Sequence, residues 1–467
     1  MKNISITTKG FGTVELGKLR SLLGGVIELI EQSAGEFLGE PGQNLGHLEE
    51  GLIKPVFEAA RAALEQAAQR KADEAGIRCP LGHKLTKRVK VELKVATRFG
   101  PITLARIIGW CERCREWFCP ADRLLGIECG KSPYIQEAAS LLNAKMPAHD
   151  AAPVLKRLTG LTLPASTLAR VARRAGEKGQ IQRQKEDEQA RQPGSVPEWV
   201  PEKPFTLVVQ IDAWNIRERD DWGRSAELRA QGLKLERWHW VYTGTVFQLG
   251  DRVEKEGGRR IIVRRGYAAT RQGLAALSEQ LHAEALRRGL GRAERVLVVA
   301  DGAVWIWNIA ADRFPEATQL LDLYHAKEHL WTVANALYGA GTPEGRAWMK
   351  PLEEQMEASQ TAKVIASLDD ALKGLEGASH ETVEKEAAYF RGQEKRMDYA
   401  GAKARGEPCG SGPVESTCRQ YQCRFKRTGQ FWTKEGDEAL MCLETFWRNG
   451  RWQNLFPHAA GFDPRRN

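Results

Sequence analysis

The sequence predicts an α/β core built on a mixed sheet and interrupted by an all-helical block, with smaller modules ahead of it. Three observations carry this expectation. After residue 205, strand-like and helix-like periodicities follow one another in a definite order. From Ala326 to about Arg405 almost every segment has helical spacing. Earlier, cysteines frame a stretch of alternating, strand-like character between Cys79 and Cys119.

At 467 residues the chain exceeds one ordinary hydrophobic core, so several domains are expected. Residues 1–76 form an N-terminal helical region, because VELGKLRSLLGGVIELIEQSAGEFL and the Ala-rich KPVFEAARAALEQAAQRKADEAG space apolar residues at i, i+3 and i+4. Residues 77–130 carry the strand-like KRVKVELKVATRFG and PITLARIIGWC between cysteines, a small metal-tied β module. Residues 131–180 are helical again, and the polar, charged, proline-bearing 181–204 reads as a linker.

Within 205–325, FTLVVQIDAW, WHWVYTGTVFQL and RRIIVRRGYAA read as three strands and RQGLAALSEQLHAEALRRG as a helix. RVLVVAD and ATQLLDLYH read as two further strands separated by a short helix. This is the order of a ribonuclease-H-like sheet. Residues 326–405 are too long and too regular for a loop and read as a helical insertion. Residues 406–467 return to the core with GPVESTCRQYQCRFKR and EGDEALMCLETFWRNG as helices.

The balance of 69 Lys and Arg against 60 Asp and Glu leaves +9, which suits a polyanionic partner without requiring one. The amino terminus lacks a signal-peptide core, and no uninterrupted apolar run reaches the roughly 18 residues of a membrane span, so a soluble, cytoplasmic protein is expected. Nine cysteines, three of them within 111–119, fit metal ligation in a reducing compartment better than a disulfide framework. There is no P-loop and no G-x-G-x-x-G turn, which argues against a nucleotide-binding enzyme.

Three carboxylates form the candidate active site: Asp212, Asp301 and Glu415. The two aspartates end apolar strands that would lie side by side, so both emerge on one rim of the sheet. Glu415 follows Cys-Gly-Ser-Gly-Pro, with Gly412 as N-cap and Pro413 as first helical residue, which puts an acid in a first helical turn. Each acid alone has an ordinary reading, as turn former, cap or partner of the helix dipole; the joint pattern is what points to chemistry. Glu218, Asp220, Asp221 and Asp312 are substitutes. Oxygen ligands of this kind hold Mg²⁺ or Mn²⁺, and two such ions support in-line phosphoryl displacement. Arg419, Gln422 and Lys426 follow Glu415 at i+4, i+7 and i+11, either as phosphate contacts or as a solvated face with a Glu415–Arg419 ion pair.

VVADGAVWIWNIA, followed by QLLDLYHAKEHL and later by GSGPVESTCR and ETFWRNGRW, resembles the DDE transposases of bacterial insertion sequences of the ISKra type, and more distantly the ISLre-type and Mutator-like transposases. The resemblance covers residues 205–455 well and the amino-terminal half more loosely. It implies a ribonuclease-H-like core that cuts DNA at element ends and joins the 3′-hydroxyls to a target, with Asp212, Asp301 and Glu415 as the Mg²⁺-binding triad. Asp322 and His325 look like the Asp-x-x-His element beside that site in Mutator-like relatives; a capped strand end explains them as well. The implied partners are double-stranded DNA, as terminal inverted repeats and target, and a second copy of the chain, since two ends are processed together. A non-joining nuclease on the same fold and an inactive, DNA-binding descendant are the alternatives.

Cys79-x₃-His83 and Cys111-x₂-Cys114 form two ligand pairs suited to tetrahedral Zn²⁺, with Cys119 as the alternative to His83. Residues 148–178 resemble a helix-turn-helix, its turn at Leu161 to Pro164. Arg170, Arg173, Arg174 and Lys178 fall on one face of the second helix, for DNA or simply for solvent. Trp214, Trp305 and Trp307, near the acids in sequence, either pack the core or stack on unpaired bases.

Overall fold

The computed structural model describes residues 13–198, 201, 203–219, 223–233, 237–256 and 260–459. The candidate substitutes Asp220 and Asp221 lie outside the described residues. The chain divides into two compact units, Met1–Ala172 and Arg173–Asn467.

In the first unit, helices α1 (Thr13–Gly39) and α2 (Leu45–Asp73) precede strands β1 (Thr86–Thr97), β2 (Gly100–Cys111) and β3 (Glu116–Phe118), which form an antiparallel sheet in that order. The free edge of β2 is covered by α2: the Gln69 amide both accepts from Ala105 N–H and donates to Ala105 C=O, each at 2.9 Å, and so stands in for a missing strand. Val95, Ile102, Leu104 and Ile127 form the core beneath, with Leu64 and Ala68 of α2 packed on it. Then come α3 (Pro120–Leu125), α4 (Pro133–Lys145), α5 (Ala148–Thr159) and α6 (Ala165–Arg191). Gly160, left-handed at φ 70°, ends α5, and Ala139, Ala151, Leu155, Leu168 and Val171 bury the helix contacts. Residues 181–191, read from sequence as the start of a linker, continue α6 instead, because Ile181, Arg183 and Asp187 keep its helical spacing and the last two are buried. The division between the units falls within this helix.

The second unit is built on β4 (Thr206–Glu218), α7 (Ser225–Ala230), β5 (Arg237–Gln248), the short pair β6 (Arg252–Glu254) and β7 (Arg260–Ile262), β8 (Gly266–Thr270), α8 (Leu274–Arg287), β9 (Arg295–Ala300), α9 (Val304–Arg313) and β10 (Thr318–Leu321). Its mixed sheet runs β10-β9-β4-β5-β8; β4 is parallel to β9 and β9 to β10, while β5 is antiparallel to β4 and β8. Leu207 to Ile211 on β4 and Leu297 to Ala300 on β9 are at most 1% exposed, as expected of central strands covered on both faces. RRIIVRRGYAA is not one strand: its first part pairs with β6 and only Gly266–Thr270 joins the sheet, the break falling in the Arg-rich middle. The fifth strand stops at Leu321 because Asp322 caps α10 (Leu323–Tyr338). That helix opens the helical block, followed by α11 (Pro343–Glu357), α12 (Thr361–Ala371), α13 (Gly377–Gln393) and α14 (Tyr399–Ala404). The chain then returns as α15 (Gly412–Phe425) and α16 (Lys434–Arg448). Among the described residues no helix is long and apolar enough to cross a membrane.

Candidate active site and metal centre

The register of the parallel strands places three acids in one row. Gln210 pairs with Val299, and Ala300 with Leu321, so Asp301 and Asp322, just past the ends of β9 and β10, come level with Asp212; Asp212 does not end its strand as the sequence suggested, because pairing with β5 carries β4 on to Glu218. Asp212 is half-buried, accepts the Ala213 N–H at 2.6 Å and is hydrogen-bonded by the Cys418 thiol of α15. Burial, and next the negative charges of Asp301 and Glu415, push its carboxyl above the usual carboxylate range. The same burial and the charge of Asp212 raise the Cys418 thiol.

Asp301 sits in a turn held from the helical block. Its side chain accepts the Ala303 N–H at 3.0 Å, ahead of α9. On α13, Tyr389 OH donates to the Asp301 carbonyl and Gln393 to the Gly302 carbonyl, both at 2.9 Å. Gly302 is left-handed at φ 96°, and a Cβ there would stand 2.5 Å from the Tyr389 hydroxyl, so both conformation and space require glycine.

Glu415 reaches the rim because the turn before α15 is clipped to the sheet twice. Gln210, fully buried on β4, donates to Gly410 C=O at 3.0 Å and accepts from Val414 N–H at 3.2 Å. Asp322, also fully buried, accepts the Ser411 N–H as well as those of Tyr324 (2.6 Å) and His325 (3.1 Å). The N-cap of α15 is Ser411 rather than Gly412, and its hydroxyl donates to Glu415 at 2.8 Å. His325 Nε2 lies 4.0 Å from Glu415.

Asp322, His325 and Glu415 bring ligand atoms within 4.8 Å of one another. Three amides occupy all but about one of the acceptor sites of the Asp322 carboxylate, which makes it a structural clip between β10, α10 and the α15 turn. Of the substitutes, Glu218 is buried and engaged with Arg271, and Asp312 lies on α9 against Arg313 at 2.9 Å.

In the first unit, Cys79, His83, Cys111 and Cys114 converge with all four ligand atoms within 4.8 Å of one another. Cys79 Sγ–Cys114 Sγ is 3.8 Å, and His83 Nδ1 lies 3.7 Å from Cys111 Sγ and 3.5 Å from Cys114 Sγ. A tetrahedral zinc ion with its usual bond lengths would have S···S edges of about 3.8 Å and S···N edges of about 3.5 Å. The cluster thus has the geometry to bind a metal such as zinc. Both ligand pairs sit on tight turns: Gly82 at φ 82° lets His83 N–H reach Cys79 Sγ at 3.3 Å, and Cys114 N–H faces Cys111 Sγ at 3.5 Å. The Cys111 hydrogen bond pushes the Cys114 thiol up to about 12. His83, not Cys119, completes the set; Cys119 instead caps α3 and hydrogen-bonds Asp122.

Arg170, Arg173, Arg174 and Lys178 are all exposed on α6, with Arg173 3.5 Å from Glu177. Arg419 is exposed on α15; Lys426 caps that helix and bonds Asn215 on β4 at 2.8 Å. Trp214 and Trp307 are buried, and Trp305 is half-buried against Tyr242, so these three pack the core. Among the described residues, Trp238 and Trp240 on β5 are exposed indoles that sequence spacing did not single out. Gln210 carried a signal: it is the polar residue inside the apolar run LVVQI. No protein-family model matches the sequence, and no curated protein matches it.

Proposed function

We propose that the second unit is a ribonuclease-H-like core performing divalent-metal phosphoryl transfer on a phosphodiester. More particularly, we read the chain as a DDE transposase of the ISKra type, which cuts at insertion-sequence ends and joins the 3′-hydroxyls to target DNA. The observation that carries this reading is the row of Asp212 and Asp301 on adjacent parallel strands, with Glu415 clipped beside them by Gln210 and Asp322. Clustered carboxylates repel one another, and a hard cation relieves that repulsion. The strand order supports the fold reading, since it has three antiparallel strands joined through the first strand to two parallel ones.

In this reading Asp212, Asp301 and Glu415 hold Mg²⁺ or Mn²⁺, which supplies activation of the attacking oxygen and stabilisation of the leaving one. Cys418 and the Ala213 amide orient Asp212, Tyr389 and Gln393 fix the turn of Asp301, and Ser411 and His325 address Glu415. Arg419 and Lys426 meet phosphates along α15. Arg170, Arg173, Arg174 and Lys178 bind double-stranded end DNA, and the zinc module is a further DNA-locating part, in an assembly of at least two copies at the nucleoid.

The test is Asp301→Asn, with Asp212→Asn and Glu415→Gln in parallel. Asparagine keeps the size and still accepts the Ala303 amide, so folding and end binding survive, while cleavage and joining both collapse in Mg²⁺. An Asp301→Asn protein that joins ends at the parental rate refutes the assignment, and cleavage without joining in the parent points to a nuclease.

A further inference from the structure

Trp238 and Trp240 stand on β5 opposite Arg217 and Asn215 of β4, where this strand pair runs on beyond β9, whose pairing with β4 ends at Gln210. The indoles are 54% and 55% exposed, although tryptophan has much to gain from burial. Cations are interleaved with them. The Arg217 guanidinium lies 5.5 Å over the Trp238 ring and 4.9 Å over Phe431, and Arg219 lies 4.5 Å over Phe431. The Lys426 ammonium lies 5.1 Å over Trp238.

Strand alternation puts Tyr242, Trp240 and Trp238 on one face, and Tyr242 packs edge-on at 5.4 Å against Trp305 of α9, the helix that follows Asp301. Asn215, opposite Trp240, is three residues past Asp212, about 10 Å along the strand, and an odd offset sets it on the other face of β4 from Asp212. An aromatic and cationic strip therefore runs along the α9 face of the β4–β5 pair, beyond the end of β9.

We propose that this strip binds unpaired nucleotides of a DNA strand, with bases stacked on Trp238 and Trp240 and phosphates met by Arg217 and Lys426. That the polymer is DNA rests on the phosphoryl-transfer reading above; the preference for unpaired over paired bases rests on the strip itself. A paired base keeps its faces inside the duplex stack, whereas an unpaired one offers a π-face next to each phosphate, and the strip supplies a partner for both. An apolar protein partner would make no use of the interleaved cations.

The experiment measures fluorescence anisotropy of a labelled single strand of about 16 nucleotides, and of the corresponding blunt duplex, with the full chain and no divalent ion. Trp238→Ala and Trp240→Ala are each expected to weaken single-strand binding about fivefold or more, while duplex binding changes by less than about twofold. Trp238→Phe and Trp240→Phe retain most of the affinity. A 5-iodouracil-substituted strand, photo-cross-linked to the parent protein, is expected to label Trp238 or Trp240, a readout that needs no variant to fold. Unchanged single-strand affinity in the double alanine variant, an equal loss on duplex, or cross-links only elsewhere overturns the proposal. Because binding is read without metal, it stands apart from the catalytic assignment: active Asp301→Asn protein would sink that assignment and leave these results untouched.

Discussion

Replacing Cys114 with serine removes one ligand of the four-residue cluster, and the consequence can be scaled from its surroundings. The local core is small: Cys79, Leu85 and Cys111 are buried, with Ile77, Cys114 and Phe118 packed on them. Leu85, fully buried, contributes about 1.5–3 kcal/mol. A structural zinc ion contributes roughly 10–16 kcal/mol of apparent binding free energy at neutral pH. Metal binding therefore outweighs the apolar contacts severalfold and is expected to hold this end of the β1–β2–β3 sheet together. Parent protein purified with zinc should carry one metal per chain by elemental analysis, while Cys114→Ser carries much less and becomes open to protease between residues 77 and 119. Because thiols must lose protons to bind, zinc retention should weaken as pH falls. A parent chain with no stoichiometric metal, indifferent to chelator in the protease assay, would refute the reasoning, as would full metal content in Cys114→Ser.

Two further outcomes are expected in the second unit. Asp437 on α16 is fully buried, and burial, followed by the charges of Glu218 and Glu438, pushes its carboxyl up to about 9. The folded state then holds a proton that the unfolded chain releases near pH 4, so this group's stabilisation is complete below about pH 4 and is lost as pH rises toward 9. Asp437→Asn should flatten that slope, by at most about 4 kcal/mol between pH 4 and 7, in denaturant melts compared at the two pH values. Gly176 of α6 lies against the backbone of α16, where a Cβ would stand 2.2 Å from the Ala439 carbonyl oxygen. Gly176→Ala should therefore destabilise by about 3 kcal/mol or more in the same melts, and a shift within experimental scatter would show that the helices can separate at no cost.

The order of strands and helices after residue 205, the helical character of 326–405 and the pairing of Cys79-x₃-His83 with Cys111-x₂-Cys114 were all legible locally. Each rests on periodicity or ligand spacing, properties of neighbouring residues. The strand-end position of Asp301 was legible for the same reason, since an apolar run closed by an acid marks a rim; Asp212 instead lies within β4, because pairing with β5 carries that strand on to Glu218. What the sequence left undivided was segmentation governed by partners: RRIIVRRGYAA splits because two different strands compete for its halves, and the polar stretch after Gln180 stays helical because Arg183 and Asp187 find burial.

Other features were decided only by the tertiary structure, because they depend on contacts across long chain separations. Gln210 meets Gly410 and Val414, and Tyr389 meets Asp301, across intervals that carry no periodic signal. His83 rather than Cys119 joins the four-residue cluster because the β hairpin brings its turn to Cys111 and Cys114, while the Cys119 thiol bonds Asp122 at the start of α3. Trp214 and Trp307, which stand beside the acids in sequence, are buried, whereas Trp238 and Trp240 stay exposed beyond the end of β9. Composition could report that tryptophans were plentiful, but which of them face solvent depends on where the neighbouring strand stops.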